Sequence, residues 1–160
     1  ALSAAVLPMT ASARERSGTA VIETPQGTAT VERTVTGESG TRTVDQTTTL
    51  DDGRTITRNG TTSCDRAAQS CTGTHTVTGP NGGGRTSETN RARTETGSTF
   101  SRDTQFSDGT TRAVDRTTTR TGEDTRVIDR TVTDRTGETR NQTATVTGPR
   151  TRPPARPRRR

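Results

Sequence analysis

The stretch VERTVT at residues 31–36 returns as VDQTTT at 44–49, VDRTTT at 114–119 and IDRTVT at 128–133. Within each copy the side-chain character changes at every second residue. Ala29, Val31, Arg33 and Val35 alternate with Thr28, Thr30, Glu32, Thr34 and Thr36, so one parity is aliphatic with an arginine and the other is threonine with an acid. The same division sets Val44, Gln46 and Thr48 against Asp45, Thr47 and Thr49, and Val114, Arg116 and Thr118 against Asp115, Thr117 and Thr119. Ile128, Arg130 and Val132 oppose Asp129, Thr131 and Thr133 in the fourth copy. Period two is the pleat of a strand rather than the turn of a helix, and β-branched residues suit a pleated surface better than a helical one.

Turn chemistry separates the copies. Gly37-Glu38-Ser39-Gly40, Asp51-Asp52-Gly53, Asn59-Gly60, Ser107-Asp108-Gly109, Gly122-Glu123-Asp124 and Thr136-Gly137-Glu138 all supply residues that tolerate positive φ. Asn-Gly and Asp-Gly are the strongest hairpin signals among them. The phrase recurs at steps of 13 (31 to 44) and 14 (114 to 128), room for one strand and one turn. Weaker copies around TITRNG, THTVTG, TFSRDTQF and NQTATVTG bring the expected strand number to roughly eight to ten.

What such strands pack against is the difficulty. Leu, Ile, Val and Phe together make up about a tenth of the chain, below the roughly 20% under which disorder becomes the default, and there is no Trp or Tyr. A two-layer core is out of reach, so order must come from backbone hydrogen bonds, turns and β-propensity. Thr–Thr pairs and Arg beside Asp or Glu across strands are expected to add about 0.2 to 1 kcal/mol each. The expected fold class is all-β: an extended antiparallel β-meander, single-layer or loosely curled, with disordered ends. A largely disordered chain with fluctuating hairpins is the alternative.

Composition shifts divide the chain. Residues 1–13, ALSAAVLPMTASA, read as the remnant of a secretory signal peptide, with small residues, Pro8 and an A-x-A site. Residues 14–27 read as a flexible lead-in, 28–78 as a first half of the meander, 79–97 as a Gly-rich flexible joint, 98–148 as a second half, and 149–160 as a disordered Pro/Arg tail. No stretch reaches the length of a membrane-spanning helix.

Cys64 and Cys71 enclose six residues in SCDRAAQSC, a spacing that permits a local disulfide, while a metal site would want more ligands than these and the lone His75. A disulfide implies an oxidising compartment, so the chain is expected to be secreted or held in the periplasm or cell envelope. Every basic residue is arginine, 24 against 18 acids, for a net charge of +6. Either the guanidinium was selected for its fit to phosphate and carboxylate, or the codon usage of a GC-rich genome produced it. The excess sits in the tail, where Arg150, Arg152, Arg156, Arg158, Arg159 and Arg160 form a candidate anion-binding segment.

The phrases VERTVTG, HTVTGPNGG and ATVTGPR, with the apolar N-terminal segment, resemble uncharacterised exported proteobacterial Thr/Arg/Gly-rich repeat proteins of the TVTGPxG type. The resemblance spans most of residues 28–149 and implies export and repetitiveness.

Catalysis is poorly provided for: one histidine, two cysteines expected to pair, and too few apolar residues to enclose a site. GPNGGGR at 79–85 lacks the Lys-Ser/Thr of a phosphate cradle. Asp51, Asp52, Asp103, Asp108, Glu123 and Asp124 read as turn carboxylates, without the spacing of a calcium loop. No catalytic residue, cofactor or metal is expected. Two readings follow: a secreted or envelope-associated structural repeat protein without catalytic activity, or a binding module that holds an anionic polymer (polysaccharide, nucleic acid or lipid head groups) through the arginine tail and the arginines of the strands. Expected partners are such a polymer, a cell-envelope component, and further copies joined at sheet edges.

Overall fold

The computed structural model of the chain describes residues 14–24 and 27–148. The expected signal remnant at 1–13 and the arginine tail at 149–160 lie outside the described residues. The rest is one ten-stranded antiparallel sheet in which spatial order equals chain order. Its strands are β1 (Arg14–Thr24), β2 (Gly27–Glu38), β3 (Thr41–Leu50), β4 (Thr55–Asp65), β5 (Ser70–Thr78), β6 (Gly84–Thr94), β7 (Gly97–Phe106), β8 (Thr111–Arg120), β9 (Thr125–Thr133) and β10 (Thr139–Thr147). Successive strands begin 13 to 15 residues apart, so the period seen in four phrases runs through the whole sheet.

Each strand touches only its neighbours in sequence, and among the described residues no second layer exists. Among the described residues no hydrophobic side chain is buried, and the buried positions are Gly60, Ser87 and Thr104, with the Ser87 and Thr104 hydroxyls 3.0 Å apart. Order therefore rests on the backbone ladder, on hydroxyl pairs such as Thr76 to Thr86 at 3.2 Å, and on the turns.

Four of those turns share one geometry. In residues 50–54, 79–83, 106–110 and 134–138 the first N–H donates to the fifth carbonyl and the fourth N–H to the first carbonyl. The fourth residue is Gly53, Gly82, Gly109 or Gly137, at φ between 77° and 86°. This is the three-residue hairpin loop that closes on a left-handed glycine. Asp52 and Asp108 support it by accepting the N–H two residues on, at 3.0 Å each.

The structure corrects four expectations. Residues 14–27 are not a lead-in: RERSGTAVIET is β1, paired along its whole length with β2. Residues 79–97 are not a flexible joint, because after one tight turn they form β6, which ties β5 to β7 in the middle of the sheet, so there are no separate halves. Asn59-Gly60 is not a turn but the middle of β4, and Asp103 lies within β7. Asn59 donates to Asp45 Oδ1 at 2.7 Å, and the bare Gly60 leaves room for the His75 ring that lies against it from β5.

Candidate anion-binding face

Residues directly opposite in an antiparallel ladder share a face, and alternate residues along a strand share one too, so the register assigns every strand residue to a side. Carried from β1 to β10, it places the strand arginines together. They are Arg14 and Arg16 in β1, Arg33 in β2, Arg42 in β3, Arg58 in β4, Arg85, Arg91 and Arg93 in β6, Arg102 in β7, Arg112, Arg116 and Arg120 in β8, Arg126 and Arg130 in β9, and Arg140 in β10. The strand acids are all on the other side: Glu15, Glu23, Glu32, Glu38, Asp45, Asp65, Glu88, Asp103, Asp115 and Asp129. No strand breaks this separation.

Arginine and acid therefore never meet across strands, which overturns the expected Arg–Asp and Arg–Glu cross-strand pairs. The acids are met instead by hydroxyls and amides; Thr143 donates to Asp129 at 2.7 Å, as Asn59 does to Asp45. Among the described residues the ion pairs lie at the turns: Arg54 to Asp52 at 2.6 Å, Arg135 to Asp108, and Arg140 to Glu138 at 3.1 Å. On the arginine side, like charges even stand opposite one another, Arg116 against Arg130 and Arg120 against Arg126. Such pairs are unfavourable in isolation and raise the potential over that face.

The same face carries most of the apolar side chains, including Val31, Val35, Val44, Val77, Val114, Ile128 and Val132, and both phenylalanines. The guanidinium groups of Arg102 and Arg116 each lie 5.6 Å from the centre of the Phe100 ring, and Arg135 lies 4.3 Å from that of Phe106. Cation–π contact lets Arg102 and Arg116 cover the half-buried Phe100 ring while their own charge stays free to meet an anion, whereas the charge of Arg135 is held by Asp108. Around them His75, Arg85, Arg112 and Arg130 border a shallow groove of about 590 Å³. Arg126 Nε, beside Arg120, is the buried side-chain nitrogen without a hydrogen-bond partner among the described residues. The face can thus attract anions, meet them with forked donors, and offer apolar ground between them.

Cys64 and Cys71 are directly opposed in β4 and β5 and joined as a disulfide, with a Cα–Cα distance of 4.0 Å. Asp65 shapes the loop between them by accepting the N–H groups of Ala67 at 2.8 Å and Ala68 at 3.0 Å. The bond is compatible with an oxidising, extracytoplasmic location. The turn carboxylates are engaged in the turns themselves: the Thr110 hydroxyl and N–H, with Arg135 beyond, hold Asp108 below the usual carboxylate range, and Thr136 does the same for Asp134. No described helix is long and apolar enough to cross a membrane.

The expected anion-binding residues Arg150, Arg152, Arg156, Arg158, Arg159 and Arg160 lie outside the described residues, and the arginine face was only partly anticipated. The alternation in four phrases showed the rule, but its extension to β1, β6 and β7 needed the register. No protein-family model, curated protein or solved structure matches this chain.

Proposed function

We infer that the protein is a non-catalytic structural module of the cell surface or envelope that holds an anionic polymer against its arginine face. The observation that supports this reading is the sorting of every strand arginine to one side and every strand acid to the other. A stripe of guanidinium groups on one face, of which Arg140 alone meets an acid among the described residues, is the electrostatic footprint of polyanion binding, and sorting by face is not what a uniform arginine bias in codon usage produces. The residues at 149–160 add six more arginines to the same chemistry. The disulfide and the resemblance to exported repeat proteins fit a place outside the cytoplasm.

The test is a binding titration with a sulfated polysaccharide and with single-stranded DNA across a range of salt. Affinity should fall linearly in log–log coordinates as phosphate or sulfate counterions are released. Replacing Arg102, Arg112 and Arg116 by Gln should flatten that slope, while deleting 149–160 should weaken binding without abolishing it. Binding lost entirely with the tail and untouched by the three face substitutions would transfer the function to the tail. No salt-dependent binding at all would leave a structural role alone.

A further inference from the structure

We propose that in the free protein the threonine–acid face of one copy packs on the arginine face of the next, so that the chain assembles by head-to-tail stacking of sheets. Residues 14–148 hold 18 of the 24 arginines and all 18 acidic residues. The sheet is therefore electrically neutral as a whole and charged in opposite senses on its two sides. Two such sheets can meet in three ways. Arginine face on arginine face would press one set of guanidinium groups against an identical set, and acid face on acid face repeats the problem with carboxylates. Only the mixed contact sets opposite charges together.

The register of the mixed contact is built into the chain. Glu15-Arg16, Glu32-Arg33, Arg102-Asp103, Asp115-Arg116 and Asp129-Arg130 are neighbours in sequence that point to opposite sides of the sheet. Their charges lie back to back, displaced by one residue, or about 3.4 Å along the strand. A copy translated along the sheet normal by the usual stacking distance of about 10 Å brings its carboxylates over the arginines beneath, within the span of an arginine side chain. The same contact covers Val31, Val35, Val114 and Val132, which no described part of the chain buries. Because the two surfaces differ, the contact is heterologous and does not close on itself; stacks should lengthen with concentration. The inference does not depend on polymer binding, but it uses the same arginine face, so a polymer and a second copy compete for it.

Sedimentation velocity of the oxidised chain tests this over a range of concentration at low salt and at 1 M NaCl. Stacking predicts a mass that rises with concentration at low salt and returns to the monomer at 1 M, where charges are screened beyond about 3 Å. Glu32→Gln, Asp115→Asn and Asp129→Asn together should move assembly to about tenfold higher concentration, the weight of three partly exposed ion pairs. Asp51→Asn, Glu95→Gln and Glu123→Gln change net charge equally at the turns and should leave assembly in place. A monomer at every concentration, assembly that survives 1 M NaCl, or equal effects of the two variants overturns the proposal; the salt comparison on the unmodified chain decides even if the face variant does not fold. Polymer binding needs no carboxylate, so the face variant should bind polymer undiminished, and failure of stacking with polymer binding intact is read separately.

Discussion

His75 and Gly60 show how little space a coreless sheet leaves to a single residue. The histidine had no second ligand or base in the sequence, and the structure gives its ring a resting place over the directly opposite strand position, which has no side chain. Gly60→Val should push that ring away and weaken the β4–β5 pairing; the check is the loss of NMR contacts between residue 60 and the imidazole, with faster amide exchange at Thr61 and Thr74. Asp108 and Asp134 carry a pH dependence whose sign follows from their partners. Each is held below its unfolded value by N–H and hydroxyl donors, so its support for the turn is complete above about pH 4 and fades as acid takes the solution through the lower folded value. NMR titration should place both midpoints below the ordinary aspartate value and show Thr110 and Thr136 N–H signals moving with them; midpoints at or above that value would break the assignment. The Asn59-Gly60 pair misled because the same dipeptide serves a tight turn and, here, an amide for Asp45 on one side and an absent side chain for His75 on the other. Local propensity does not distinguish these uses; the cross-strand partner does.

At the scale of the element, a strand here is a ladder partner first and an apolar surface hardly at all. That is why β2, β3, β8 and β9 were legible in their alternating valines and threonines while β1 and β6 were not. β6 reads GRTSETNRART, with a single alanine as its apolar content, yet it supplies the Ser87 that pairs with Thr104 in the most buried spot of the sheet. Counting apolar residues mistook it for a linker, although its parity kept arginine on one side and glutamate on the other. Thr89→Pro removes a ladder N–H in mid-sheet and should separate the protein into two independently melting parts, where the same change in an edge strand such as β10 should cost far less; differential hydrogen exchange on either side of residue 89 is the measurement. The Cys64–Cys71 bond pins the centre of the ladder. Converting both to serine should lower stability by about 2 to 3 kcal/mol, seen as a lower urea midpoint; an unchanged midpoint would show that the ladder alone sets the spacing of β4 and β5.

At the scale of the molecule, the described residues form a one-dimensional array: every strand contacts only the one before and the one after. Stability in such arrays is a sum of unit and neighbour terms, and unfolding proceeds from the ends. Amide protection should therefore rise from β1 and β10 towards β5, β6 and β7, the region that holds Ser87 and Thr104; uniform protection across all ten strands would instead mean a single cooperative unit. The all-β meander was legible because alternation and turns repeat at one step. The sidedness of charge over the full sheet was legible only in fragments, since it depends on how each turn passes parity from strand to strand.

The constant step between strands has a further consequence. Replacing residues 84–110 by nothing would let Thr111 follow Gly83 where Gly84 now does. Both residues belong to the acid side, and β8 runs in the same direction as β6, so β5 could pair with β8 with direction and sidedness intact. Loss or duplication of a strand pair thus changes one quantity, the width of the ribbon, by about 4.8 Å per strand. Under the proposed function, width in turn would fix how many successive anionic groups a single chain spans, so copying or deleting hairpins would adjust that reach with no residue needing to change its role.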